Sequence, residues 1–89
     1  MKIKVYTIPA CPYCIKLKGL LDGMELSYDV VDVALEENEK VFNELMEISG
    51  QESVPMITVG NHLLAPDVNF STIEQAAELV KYILDNETE

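Results

Sequence analysis

The sequence contains no tryptophan and no arginine, and only two cysteines and one histidine among its 89 residues. Six lysines carry all of the positive side-chain charge, and sixteen acidic residues bring the formal net charge to −10 at pH 7. Proteins that bind nucleic acids or anionic membrane surfaces draw much of their affinity from Lys and Arg. The shortage of these residues therefore argues against both kinds of partner.

Long hydrophobic runs are also missing. No apolar stretch approaches the roughly 20 residues of a membrane-spanning helix, and no apolar block of the signal-peptide kind follows Lys2 and Lys4. Hydrophobic residues make up 48% of the chain and charged residues 25%, as in folded domains rather than disordered segments. We therefore expect a single domain over residues 1–89, located in the cytoplasm.

The charges are unevenly distributed along the chain. Residues 1–20 contain four lysines and no acid, whereas residues 21–89 contain two lysines and sixteen acids. The acidic part predicts a solvated surface that aids solubility. The lysines of the first part predict either a solvated surface as well or a positive patch near residues 11–14, and the sequence leaves both open.

The hydrophobic pattern predicts an α/β domain with the element order β-α-β-α-β-β-α. Alternating or β-branched residues indicate the first two strands, and the turn signal Gly60-Asn61 indicates a hairpin of the last two. The predicted strands cover residues 2–7, 26–33, 55–59 and 62–65. The first two strands should be parallel across a right-handed crossover, and the helices should cover both faces of the sheet.

Apolar residues at helical spacing predict three helices. The first covers residues 12–24, and the second runs from about residue 36 to Gly50, which is a typical helix end. The third begins at a capping box formed by Ser71 and Glu74. The expected apolar face of the second helix consists of Val41, Phe42, Leu45 and Ile48.

Both cysteines lie in the motif Cys11-Pro12-Tyr13-Cys14, between the first strand and the first helix. A disulfide that closes so short a loop does little for the unfolded-state entropy, which favours a redox or metal role over a structural one. Unpaired N–H groups and the helix dipole should favour the thiolate of Cys11 at the helix start. Because the thiolate attacks disulfides, we expect Cys11 to be the nucleophile and Cys14 the resolving thiol.

Two other interpretations of the motif stay open at this point. The cysteines could be a buried pair on the helix, or they could bind a metal. Structural zinc usually takes four ligands, and the chain offers only these two thiols and the distant His62. A dimer could bring two cysteine pairs together, but for the single chain we predict no metal site.

The dipeptide Val54-Pro55 precedes the third predicted strand. A proline is tolerated as the first residue of a strand, so strand entry alone explains it. A cis peptide bond is the functional interpretation, because it would leave the Val54 main chain free to pair with a peptide-like substrate.

These segments together resemble the glutaredoxin family, which has the thioredoxin fold. The resemblance runs from Lys2 to about Leu84, and Cys11-Pro12-Tyr13-Cys14 matches the active site of the dithiol members letter for letter. Ser53-Val54-Pro55 is similar to the family's Thr-Val-Pro segment with its cis-proline. The resemblance implies a thioredoxin-like α/β fold with a four-stranded mixed sheet of order 2-1-3-4 and three helices.

The resemblance also implies a function. It points to a glutathione-dependent thiol–disulfide oxidoreductase that reduces protein or glutathione mixed disulfides, with glutathione as co-substrate and no bound cofactor. The implied glutathione contacts are the main chain of Val54 beside Pro55, the Tyr13 side chain next to the sulfur, and Asp67 at the amine. The expected partners are glutathione and disulfide-containing proteins, and the expected state is a monomer.

The sequence departs from the family pattern at two places. Ile8 stands where the family often carries Lys or Arg to pair with a glutathione carboxylate; Lys16, Lys40 and Gln51 are candidates to replace that charge. Residues 64–70 replace a Gly-Gly segment and contain neither glycine.

These departures keep two alternatives open. One is a glutaredoxin-like hydrogen donor, for example to ribonucleotide reductase, that thioredoxin reductase reduces. The other is an iron–sulfur or metal-binding dimer, against which Pro12 counts, because by family similarity cluster binding accompanies a small, non-proline residue at that position.

Overall fold

The computed structural model describes residues 2–87, which form four strands and three α-helices in the predicted order. The strands are β1 (Ile3–Thr7), β2 (Asp29–Asp32), β3 (Met56–Val59) and β4 (His62–Leu64). The helices are α1 (Pro12–Gly23), α2 (Glu39–Ser49) and α3 (Ile73–Glu87). Within residues 2–87, none of the helices has the length and apolar character needed to span a membrane.

The strands form one mixed sheet in the order β2-β1-β3-β4. β1 pairs with β2 in parallel and with β3 antiparallel, and β3 and β4 form the hairpin through Gly60 and Asn61. This is the predicted thioredoxin-like α/β fold. β1 therefore lies at the centre of the sheet, and the chain leaves its carboxyl end at Thr7 directly towards the Cys11 motif.

The sheet packs on both faces, because successive side chains of a strand point to opposite sides. On one face, β1 and β3 meet α1 and α3 around a core that includes Val5, Leu17, Leu21, Ile57 and Val80. On the other face, a smaller cluster around Tyr6 and Met56 is covered by α2. The predicted half-buried pattern for β1 therefore underestimates its burial, since both Tyr6 and Thr7 are inside.

Two predicted element bounds are wrong. The second strand does not begin at Leu26, because the Leu26 N–H donates to the Leu21 carbonyl at 3.1 Å and closes the end of α1 instead. The second helix begins with a 3₁₀ turn at Glu36–Asn38, and the α-helix starts only at Glu39. The Asn38 side chain donates to the Asp32 carbonyl at 2.8 Å, so this turn is tied to the end of β2.

The predicted apolar face of α2 is also partly wrong. Phe42 and Leu45 pack against the sheet as expected, but Met46 joins them. Ile48 is 74% exposed, and Val41 is exposed as well. The half-buried stripe follows the spacing i, i+3, i+4 from Phe42, so Met46 packs against the sheet in place of Ile48.

The capping box of α3 lies one residue later than predicted. The Gln75 N–H donates to Thr72 Oγ1 at 3.1 Å, and Gln75 Oε1 accepts from the N–H groups of Ser71 and Thr72 at 2.7 and 3.3 Å. Thr72 and Gln75 therefore form the reciprocal pair that Ser71 and Glu74 were expected to form. The shift leaves the Glu74 carboxylate available for another partner.

Candidate active site

Cys11 is the N-cap residue of α1. Its backbone is extended, with φ −87° and ψ 111°, and Pro12 occupies the first helical position. Its Sγ accepts a hydrogen bond from the Cys14 N–H at 3.2 Å, as the side chain of an N-cap Ser or Asp does. Ala10, just before it, has a left-handed backbone with φ 62°, which L-residues rarely adopt. This sharp turn from β1 into α1 places the sulfur at the helix N-terminus.

Cys14 lies one helical turn further along and faces the core. It is 1% exposed, against 7% for Cys11, and both cysteines are free thiols. Burial is the main cause that raises the pKa of Cys14 to about 12, and the hydrogen bond with the Cys11 side chain adds to it. The two sulfurs are thus in different surroundings: burial keeps Cys14 protonated at neutral pH, whereas Cys11 Sγ lies at the start of α1 and accepts the Cys14 N–H.

A cavity of about 470 Å³ adjoins the motif. All four residues that the resemblance implied as glutathione contacts line it: Tyr13, Val54, Pro55 and Asp67. The Val54–Pro55 bond is cis. The cavity has the size of small-molecule sites in other proteins.

Asp67 projects from a tight loop between β4 and α3. It has a left-handed backbone with φ 62°, and its N–H donates to the Phe70 carbonyl at 2.8 Å. Asn69 closes the loop: its Oδ1 accepts from the Ala65 N–H at 2.9 Å, and its own N–H donates to the Ala65 carbonyl at 3.0 Å. This loop takes the place of the family's Gly-Gly segment, with Asp in the conformation that glycine adopts easily.

Two charged residues also line the cavity. Lys16 Nζ lies 2.6 Å from Glu74 Oε2, and the pair joins α1 to the first turn of α3. The hydrogen bond from Lys16 lowers the pKa of Glu74, so this carboxylate is charged at neutral pH. Of the three residues proposed to replace the missing cation at Ile8, Lys16 lies at this cavity. Lys40 lines a separate groove on α2, and the Gln51 N–H donates to Ser49.

Two of the four lysines in residues 1–20 are paired with acids, which weakens the positive patch that was one of the two sequence interpretations, whereas the charge of Lys18 acts on Cys14. Lys2 pairs with Asp29 at 3.4 Å, near the start of β1 and away from the motif. Lys16 is neutralised by Glu74. Ile8, next to the motif, is 41% exposed and uncharged.

Sequence reasoning missed Glu74 as a site residue, because it assigned that side chain to a helix cap. It also missed Phe70 and Thr72, which line the cavity beside it. The acidic position in the first turn of a helix was visible in the sequence, but nothing local indicated that Lys16 would face it.

The chain is similar to known proteins in sequence and in fold. Residues 3–64 match the family model for glutaredoxin. Glutaredoxin 1 of Rickettsia conorii is 35% identical over 86 residues, which cover 96% of this chain and 82% of the relative. The glutaredoxin of Neisseria meningitidis serogroup B is 34% identical over 58 residues, covering 65% of this chain and 67% of the relative.

Solved structures show the same fold. The glutaredoxin from Archaeoglobus fulgidus superposes with a TM-score of 0.70 at 24% identity, covering 90% of this chain and 86% of that one. The buckwheat glutaredoxin–glutathione complex gives 0.69 at 18% identity, covering 90% of this chain and 68% of that one. From the matched family model, the relatives and the fold, this chain belongs to the glutaredoxin family of thiol oxidoreductases.

Proposed function

We propose that the protein reduces disulfides of proteins and glutathione mixed disulfides, with Cys11 as the nucleophile, Cys14 as the resolving thiol and glutathione as the reductant. The observation that carries the proposal is the asymmetry of the two thiols. Cys11 Sγ accepts the Cys14 N–H at the start of α1, while the Cys14 thiol is buried and its pKa is raised to about 12.

The reaction is a pair of thiol–disulfide exchanges. The Cys11 thiolate attacks one sulfur of the substrate disulfide; a bond forms to Cys11, the substrate S–S bond breaks, and the leaving sulfur takes a proton from solvent. Cys14 then gives up its proton and attacks the Cys11 sulfur, which releases the second substrate thiol and leaves a Cys11–Cys14 disulfide. Two glutathione molecules reduce this disulfide and become glutathione disulfide.

The cavity supports glutathione as the reductant. Tyr13 of the motif lines it together with Val54, Pro55 and Asp67. Glutathione is a tripeptide, so it needs main-chain hydrogen-bond partners and a carboxylate for its ammonium group. The Val54 main chain offers the first, and the Asp67 carboxylate offers the second. A buckwheat glutaredoxin of similar fold has been solved in complex with glutathione, which supports the proposal.

The test compares single-cysteine variants. Reduced Cys14→Ser protein is incubated with oxidised glutathione, and its intact mass should rise by one glutathione, carried on Cys11. The parent should turn over a glutathione mixed disulfide in an assay coupled to glutathione reductase. The Cys11→Ser variant should form no adduct and show no turnover, and any retained reductase activity in it contradicts the assignment.

A second candidate function has its own support. Ile8 is uncharged, Lys16 is engaged by Glu74, and the loop around Asp67 lacks the family's glycines, all of which weaken a glutathione site. These features favour the alternative that thioredoxin reductase reduces the protein, as in hydrogen donors of the glutaredoxin kind. Reduction of the oxidised parent by thioredoxin reductase, with no turnover supported by glutathione, would select that function. The roles of the cysteines would stay the same.

A further inference from the structure

The charges on the cavity wall differ from those that an anionic tripeptide requires. Of the described residues that line the cavity, one is a lysine, Lys16, and two are acids, Asp67 and Glu74. The lysine is held by Glu74 at 2.6 Å. The charged side chains of the cavity therefore sum to a net negative charge.

This arrangement affects the two ends of glutathione differently. Its ammonium group can meet Asp67, but its two carboxylates find Lys16 already paired. Ile8 offers no replacement charge, and Lys40 lies on another surface. Each carboxylate that enters must therefore compete with Glu74 for Lys16 or remain without a cationic partner among the charged residues that line the cavity.

We propose that Glu74 is a specificity-determining residue that selects disulfides by charge, so that the cavity favours disulfides with cationic groups near the sulfur over those with anionic groups. This inference rests on the proposed function, because it requires Cys11 to attack disulfides bound in this cavity. Among the disulfides of the proposed function, it ranks those flanked by ammonium groups above those flanked by carboxylates. The effect is electrostatic and short-ranged, since Glu74 lies at the cavity wall itself.

The test measures the rate of the first exchange step alone. In the Cys14→Ser background, the Cys11 thiolate attacks cystamine or oxidised glutathione, the S–S bond of the reagent breaks, and one thiol leaves while the other half stays bound to Cys11. The two reagents transfer cationic and anionic halves, respectively. The ratio of the two rates, followed by intact mass, therefore reports charge preference without any later step.

The decisive variant adds Glu74→Gln to this background. It should shift the rate ratio towards oxidised glutathione by about three- to tenfold, because the rate with the anion rises while that with the cation falls. High salt should shrink the difference, since the screening length falls to about 3 Å at 1 M. Glu74→Asp, which keeps the charge, should retain most of the original preference.

The matched control is Glu78→Gln. Glu78 lies one turn further along α3, is exposed and lines a different groove, so the variant makes the same change in net charge away from the cavity. It should leave the ratio nearly unchanged. Equal shifts in the two Gln variants would assign the preference to the overall charge and overturn the role of Glu74. An unchanged ratio in Glu74→Gln would do the same.

The outcomes separate this inference from the proposed function. If both reagents modify Cys11 but Glu74→Gln does not change their ratio, the charge selection is wrong and the oxidoreductase function stands. If neither reagent modifies Cys11 in any variant, the proposed function fails and the inference fails with it.

Discussion

Cys11 and Cys14 are three positions apart, yet their surroundings make them chemically different. Cys11 ends the turn that begins at Ala10 and receives a main-chain N–H, whereas Cys14 is almost completely buried. Desolvation acts on a thiol by disfavouring its charged form. The order of attack in the proposed mechanism therefore follows from the deeper burial and raised pKa of Cys14 and from the position of Cys11 at the start of α1.

Alkylation tests this difference directly. At about pH 8, iodoacetamide should modify Cys11 in the parent and in Cys14→Ser at similar rates. A thiol whose pKa is about 12 rather than 9.0 has roughly a thousandfold less thiolate, so Cys11→Ser should react at least about a hundredfold more slowly. The main cause of the raised pKa, burial, remains in that variant. Equally fast labelling of Cys11→Ser, measured by intact mass, would contradict the assignment.

The same buried thiol predicts how stability depends on pH. In the unfolded chain Cys14 ionises near its ordinary pKa of 9.0, and in the folded protein near 12. Between these values the folded state holds a proton that the unfolded state has lost, so the free energy of unfolding decreases as the pH rises, by up to ~1.4 kcal/mol per pH unit.

Urea unfolding followed by circular dichroism should show a shallower decrease for Cys14→Ala than for the parent above about pH 9. Tyr28, whose pKa is raised by burial and by its hydrogen bond to Asp22, contributes in the same direction in both proteins. It therefore cancels in the comparison. Parallel curves would show that Cys14 is not the titrating group.

At the scale of elements, α1 and α3 both begin with a side-chain cap, and both starts face the site. The cap of α1 is the sulfur of Cys11, and that of α3 is the Thr72 hydroxyl. Serine is also a good N-cap residue, so Cys11→Ser removes the nucleophile while keeping a cap on α1. This makes it a better inactive control than Cys11→Ala.

The position of the α3 cap predicts two unequal substitutions. Thr72→Ala removes the hydroxyl that accepts the Gln75 N–H and should lower the free energy of unfolding by about 1 kcal/mol. Ser71→Ala should change it by less than about 0.5 kcal/mol, because Ser71 takes part through its main-chain N–H. The two are compared by urea unfolding at neutral pH. A larger loss of unfolding free energy from Ser71→Ala than from Thr72→Ala would contradict this assignment and support the capping box expected from the sequence.

At the scale of the whole molecule, the formal charge of −10 sets the long-range field. Of the four lysines in residues 1–20, Lys2 is paired with Asp29 and Lys16 with Glu74. Such a field steers oppositely charged partners towards a protein and slows like-charged ones. It acts on any macromolecular substrate before that substrate reaches the cavity.

Disulfide-linked peptides that differ only in their flanking residues would reveal this field. At low ionic strength the parent should reduce a Lys-flanked peptide faster than a Glu-flanked one, and the ratio of the rates should fall as salt shortens the screening length from about 30 Å at 0.01 M to about 3 Å at 1 M. A Gln-flanked peptide serves as the neutral control and should change little. A ratio that does not respond to salt would show that the field does not govern the encounter.

Much of the fold could be predicted because its signals are local. The periodicity of α1 and α3, the Gly60-Asn61 turn and the left-handed Gly50 at the end of α2 depend on neighbouring residues alone. The same holds for the motif at the junction of β1 and α1. Local patterns gave the wrong residue where two nearby residues fitted the pattern almost equally well. They predicted Ile48 instead of Met46 on the packed face of α2, and Ser71 instead of Thr72 as the cap of α3.

The sequence by itself determined the element order, the placement of two thiols at a helix start and the acidic character of the surface, because each follows from composition or short spacing. The resemblance implied that Tyr13, Val54 and Asp67 contact one ligand, but only the tertiary structure decided that Glu74 pairs with Lys16 at the cavity that they line. These contacts join segments far apart in the chain, and their geometry depends on how α1, α3 and the sheet pack together. No periodicity or turn signal in the sequence specifies that packing closely enough to predict individual hydrogen bonds or ion pairs.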